Sequence, residues 1–162
     1  MMKHRMRPIA LALALALVSG AASALDFKPY GRGAFAQIVK AHAGKPLMMH
    51  FWSITCPPCI AELPQWAKMI EARKDIDYVF VNIDGEEDQA RAALRLEKAG
   101  LGKATHYGFA DSFVDKLYFE ADKSWRGELP FTALVAPNGG VTTVTGAMDD
   151  PLVTAWLAKN AK

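Results

Sequence analysis

Cysteine is scarce in this 162-residue chain: there are two, Cys56 and Cys59, and no second Cys or His pair stands at metal-ligand spacing. A structural zinc site takes about four such ligands, and His42, His50 and His106 lie singly, so a zinc module is disfavoured. Also missing is any basic run or aromatic-interleaved basic patch, the usual footprint of a nucleic-acid binder. There is no internal repeat, low-complexity stretch or linker. The apolar run Ile9 to Val18 is too short for an ordinary membrane span. It follows Lys3, Arg5 and Arg7 and precedes Ala22-Ser23-Ala24, the order of a secretory signal with a small-residue cleavage site. Residues 1–24 are therefore read as a signal peptide and 25–162 as one domain, exported to the periplasm. No cysteine stands at the cut, which excludes a lipid anchor there; left uncleaved, the segment would act as a tether. Without the signal, 16 basic residues face the 17 acidic ones, so the apparent basicity of the chain belongs to its leader. Roughly 138 half-apolar residues suffice for one well-filled core.

What is present is concentrated in Met48 to Glu62, MMHFWSITCPPCIAE. A short apolar run ends at Trp52, the two cysteines follow, and a helical pattern begins at once. A buried strand feeding a helix puts Cys56 at the strand's carboxyl end and the helix amino terminus, where unpaired N–H groups favour an anion. That anion would be a thiolate, because a helix start in a Cys-x-x-Cys setting lowers a thiol pKa from about 8.5 into roughly 3.5 to 7.5. Cys59, one turn on, is placed to close a small ring onto Cys56 and reopen it by exchange. A purely structural disulfide is the weaker reading, since so short a loop gains little from closure. In an oxidising compartment the pair must stay oxidised or be served by a dedicated electron supply.

The rest of the chain alternates helix and strand. Gly31 to Ala43 spaces Phe35, Ile38 and Val39 on one helix face, stopped by Gly44-Lys45-Pro46; Leu63, Trp66 and Ile70 recur at helical intervals to about Arg73, with Pro64 expected to kink that helix. Asp77 to Ile83 is a continuous apolar run, the mark of a parallel strand buried on both faces. Asp84 is predicted to cap a helix from Glu86 to Gly100, and Asp111 a short one from Ser112 to Phe119, after a strand at Thr105 to Ala110. Leu129 to Ala136 and Val141 to Thr145 flank Pro137-Asn138-Gly139-Gly140 as an antiparallel hairpin. Asp149-Asp150-Pro151 opens a last helix with Leu152, Val153, Trp156 and Leu157 inward. Parallel strands first and a hairpin last predict an α/β fold, a mixed central sheet flanked by helices.

These residues resemble the thioredoxin fold and, within it, exported thiol-disulfide oxidoreductases of the TlpA, ResA and CcmG type. The likeness rests on Phe51-Trp52, Cys56-Pro57-Pro58-Cys59, Glu62, Pro64, Pro130 at the head of a late strand, the Asn138-Gly139 turn and Gly146, and spans about Gly31 to Leu157. The resemblance implies Cys56 as nucleophile, Cys59 as resolving thiol, Pro130 as a cis-proline facing them, and Glu62 as an acid tuning thiol ionisation. The bland alternatives are a trans proline starting a strand and an ordinary first-turn helix acid. Trp52, Pro57, Pro58, Leu129 and Pro130 would form the partner-binding surface. His50 stands where thioredoxins carry a buried aspartate, and an imidazole there is expected either to exchange protons with Cys59 near neutral pH or to be a core histidine bonded to backbone. Thr55, Leu129 and Ala136 depart from residues common in the family at those places.

The resemblance favours a monomeric reductant, without cofactor or metal, drawing electrons from a membrane thiol donor and serving apocytochrome c or a copper-site assembly protein. Pro57-Pro58 does not set the direction of electron flow. An oxidant or isomerase is the redox alternative, disfavoured because no segment is long enough for a substrate-binding insertion. A Cu(I) carrier using Cys56, Cys59 and Met48, Met49 or His50 is the alternative of another class.

Overall fold

The computed structural model describes residues 25–161, so the signal expected at 1–24 lies outside it. In chain order the elements are β1 (Lys28–Tyr30), α1 (Ala34–Ala41), β2 (Leu47–Trp52), α2 (Pro57–Ala72), β3 (Asp77–Asn82), a 3-10 turn (Glu86–Asp88), α3 (Gln89–Lys98), β4 (Thr105–Phe109), α4 (Val114–Ala121), β5 (Phe131–Val135), β6 (Val141–Thr145) and α5 (Pro151–Asn160). They build one six-stranded sheet in the order β1-β4-β3-β2-β5-β6. Strands β1 to β4 pair parallel, while β5 runs antiparallel to β2 and β6 antiparallel to β5. The mixed sheet with a terminal hairpin is the predicted one.

Strand β2 is buried along its whole length because it lies between β3 and β5, with helices over both faces. Its side chains alternate between two cores. Leu47, Met49 and Phe51 join α1 and α4 through Phe35, Ile38 and Leu117. Met48 and Trp52 join α2, α3 and α5 through Leu63, Trp66, Leu96 and Trp156. Phe51 alone, with no exposed surface and edge contacts to Tyr30, Trp125 and Phe131, contributes roughly 1.5–3 kcal/mol by burial.

Several local expectations are corrected. β1 was not foreseen: it is a three-residue edge strand holding Lys28 and Pro29, too short and too polar for a periodic signal. Asp84 caps no helix, since its carboxylate is turned back to the β2–α2 loop; the three acids Glu86, Glu87 and Asp88 form a separate 3-10 turn before α3. Asp111 likewise accepts the Phe113 N–H and pairs with Arg32, and α4 starts only at Val114. Asp150 does cap α5, accepting the Leu152 N–H at 2.8 Å, but Leu152 itself is exposed rather than inward. Pro64 does lie inside helix α2, which continues past it to Ala72. At the hairpin, Gly139 takes a φ of +85° that a side chain would resist.

Candidate functional site

Because β1 to β4 are parallel, their carboxyl ends meet at one pole of the sheet, and the antiparallel β5 begins there. Phe51 pairs with Phe131 near that pole, so Pro130 stands beside the end of β2, from which the chain turns into Cys56. The Leu129-Pro130 peptide bond is cis. Cys56 and Leu129 pack against the same apolar cluster that contains Cys59.

Cys56 occupies the N-cap of α2 and is joined to Cys59 by a disulfide. Its exposure is partial, whereas Cys59 is fully buried. Pro57 and Pro58 follow at the helix start and have no N–H to offer. The first free donor of α2 is therefore Cys59 N–H, and it points at Cys56 Sγ, 3.2 Å away. The next, Ile60 N–H, is taken by the Cys56 carbonyl. A helix terminus that ordinarily leaves several donors unpaired thus presents a single one, aimed at the sulfur.

Glu62, one turn past Cys59, is buried; one oxygen accepts Met148 N–H at 3.1 Å and the other has no partner among the described residues. Burial pushes its pKa up, with Asp149 adding to the shift and the Met148 N–H and nearby Trp66 indole opposing it. His50, fully enclosed on β2, contacts Thr132 Oγ1 through Nδ1 at 3.0 Å, and its ring lies 4.6 Å from that of Trp66. Burial lowers its pKa to about 3. The ring is therefore neutral throughout the neutral range. The backbone bond expected of a core histidine is corrected, since Nδ1 meets the Thr132 hydroxyl instead; a pKa held this low makes the ring a weaker base than an exposed imidazole.

Trp52 is also corrected. Strand alternation carries it into the core cluster that holds Cys59, where it has no exposed surface, rather than onto an outer partner-binding face. Pro57 and Pro58 are exposed, Leu129 is half-buried and Pro130 is buried. Met48 and Met49 enter opposite cores, so of the two thioethers offered as alternatives for Cu(I) only Met48 shares the cysteines' side. Among the described residues no group of three or more His, Cys, Asp or Glu is arranged to hold a metal, and no helix is long and apolar enough to cross a membrane.

Ser53, Asn82, Asp84 and Thr132 were not foreseen as part of this pole. Asp84 accepts the Ser53 hydroxyl at 2.6 Å, Ile54 N–H at 2.8 Å and the Asn82 amide at 2.7 Å. The signal that would have found it is topological: a polar residue directly after a parallel strand adjacent to β2 must arrive at the same pole.

No family model matches the sequence. Over 115 residues the chain is 24% identical to thiol-disulfide oxidoreductase ResA of Halalkalibacterium halodurans, covering 70% of this chain and 61% of that protein. The chain thus spans about three fifths of that curated relative's length. In structure it is similar to a secreted disulfide oxidoreductase of Mycobacterium tuberculosis (20% identity, 74% of this chain and 85% of the other, TM-score 0.58). It is also similar to the thioredoxin domain of a thiol-disulfide oxidoreductase from Bacteroides vulgatus (22% identity, 75% and 83%, TM-score 0.57). The fold is thioredoxin-like.

Proposed function

We propose that this thioredoxin-like chain is a thiol-disulfide oxidoreductase, exported to the periplasm, that reduces partner-protein disulfides through Cys56 and Cys59. The observation that carries the reading is the asymmetry of the pair: a partly exposed sulfur at a helix N-cap, facing one backbone donor, beside a sealed one.

In the reduced protein the Cys56 thiolate attacks one sulfur of a partner disulfide. A bond forms between Cys56 Sγ and that sulfur, and the partner's other sulfur leaves as a thiolate and takes up a proton. Cys59, deprotonated, then attacks Cys56 Sγ, forming the intramolecular disulfide and releasing the partner's second thiolate. The partner gains two electrons and two protons in total, and Cys56 and Cys59 are oxidised. A membrane thiol donor returns the pair to the dithiol. The exposed rings of Pro57 and Pro58 and the half-buried Leu129 border the reacting sulfur. Among the described residues neither backbone group of Leu129 is engaged in a turn or loop hydrogen bond, leaving a short edge for an extended partner segment. Its partners are exported proteins whose cysteines must be reduced before cytochrome c maturation or copper-site assembly, and the chain acts as a monomer.

The test is the reduction potential of the purified couple, measured with insulin reduction and a Cu(I) titration. A strongly reducing couple that reduces insulin without binding copper tightly is the expected result. An inert disulfide, or tight stoichiometric copper binding, would overturn the proposal.

A further inference from the structure

Between Ser53 and the start of α2 three successive backbone donors are already engaged. Ile54 N–H goes to Asp84, Thr55 N–H to Ser53 Oγ at 3.0 Å, and Cys56 N–H to the Ser53 carbonyl at 3.2 Å. The Ser53 hydroxyl that holds Thr55 is itself held by Asp84. One carboxylate, fixed by Asn82 at the end of β3, therefore organises the whole turn, directly or through Ser53. The disulfide joins Cys56 to Cys59 beyond this turn, so the turn itself is held by hydrogen bonds alone.

We propose that Asp84 is the positioning residue of Cys56: by holding Ser53 and Ile54 it keeps the turn's N–H groups away from the sulfur, which is left with the single donor from Cys59. The inference rests on the reading of Cys56 as the reacting sulfur. Two consequences of losing Asp84 act in the same direction. The freed N–H groups can turn to the thiolate, and a nearby negative charge disappears. Both stabilise the thiolate, so the dithiol form gains over the disulfide and the protein becomes a weaker reductant. Of the other titratable groups, Glu62 follows the pair on α2 and is acted on by Asp149 ahead of α5, His50 lies on β2, and Tyr118 on α4 senses the Asp84 charge. All are unchanged in the variants below.

The experiment is the pH profile of Cys56 alkylation by iodoacetamide in the reduced full chain, with the thiol equilibrium against glutathione, for wild type, Asp84→Ala, Asp84→Asn and Ser53→Ala. Asp84→Ala is expected to lower the alkylation midpoint by about one pH unit and to shift the glutathione equilibrium about tenfold, about 30 mV, toward the dithiol. Asp84→Asn, which keeps one acceptor, falls between it and wild type. Ser53→Ala keeps the charge and the Asp84–Ile54 bond while releasing Thr55, whose N–H and hydroxyl both meet Ser53 Oγ; it shifts the midpoint down by less, and serves if the Asp84 variants do not fold. Midpoints unchanged or raised in the folded variants would overturn the inference, because a merely structural loss does not lower them. A wild-type Cys56 that resists alkylation would instead sink the proposed function itself.

Discussion

His50 offers the sharpest test of the buried side of the site, through the pH dependence of stability. Its imidazole has an ordinary pKa of 6.5 and is held at about 3 by complete burial. Between those two values the unfolded chain binds a proton that the folded chain refuses, so stability rises with pH across that window. The stability associated with a neutral His50 is fully present above pH 6.5 and is lost progressively as pH falls toward 3. Each pH unit inside the window corresponds to about 1.4 kcal/mol, so lowering the pH from 7 to 4 removes roughly 3 kcal/mol. Against a total of about 5–15 kcal/mol for a domain of this size, that is a large fraction. His106, buried with a lowered pKa, adds a loss of the same sign, and Glu62, with a raised one, opposes it. The measurement is therefore a difference: denaturant unfolding at pH 7, 5.5 and 4 for wild type and His50→Gln, whose amide can still reach Thr132. The variant is expected to lose less stability on acidification by roughly 3 kcal/mol. Parallel stability curves for the two proteins, or an imidazole that titrates near neutrality in the folded state, would refute the reasoning.

Three further outcomes are expected. Pro58→Ala restores an N–H in the first turn beside Cys56; a charge-assisted hydrogen bond of about 1.5–3 kcal/mol, weakened by water at a partly exposed sulfur, should lower the alkylation midpoint by roughly half to one pH unit, and an unmoved midpoint would count against the single-donor geometry. Glu62→Gln keeps the Met148 contact and removes the carboxyl whose raised pKa favours folding below its ordinary 4.5; the variant should gain stability relative to wild type as pH rises through the raised value, as read by thermal unfolding at matched pH. Cys59→Ser removes the resolving thiol, so a disulfide-bearing protein substrate should accumulate as a mixed disulfide on Cys56, visible by non-reducing electrophoresis, and its absence would assign the attacking role elsewhere.

The parts legible in the sequence are those where one local rule decides. Asp77 to Asn82 reads as a doubly buried strand because its apolar run has no polar interruption, and the Pro-Asn-Gly-Gly turn announces a hairpin by backbone conformation alone. The dithiol's place at a helix start follows from the change of period after Trp52. What was illegible depends on contacts between segments distant in the chain. Asp84 satisfies every local criterion for a helix cap, yet the loop from β2 competes for its carboxylate and wins with two hydrogen bonds. His50 carries the same letter whether exposed or enclosed; only the closure of α2 over β2, through Trp66, decides its charge. Lys28 to Tyr30 becomes a strand solely because β4 offers it an edge.

The two-sided burial of β2 has a consequence for how this protein can change over evolutionary time. Each step along the strand assigns a residue to one hydrophobic layer or the other, so inserting or deleting one residue between Leu47 and Trp52 would exchange both sets at once. Met49 and Phe51 would face the helix that carries the dithiol, while His50 and Trp52 would enter the layer built on Tyr30 and Trp125. Parity along this one strand therefore fixes the address of the reactive sulfur, and lineages can lengthen the surface loops far more freely than they can lengthen it.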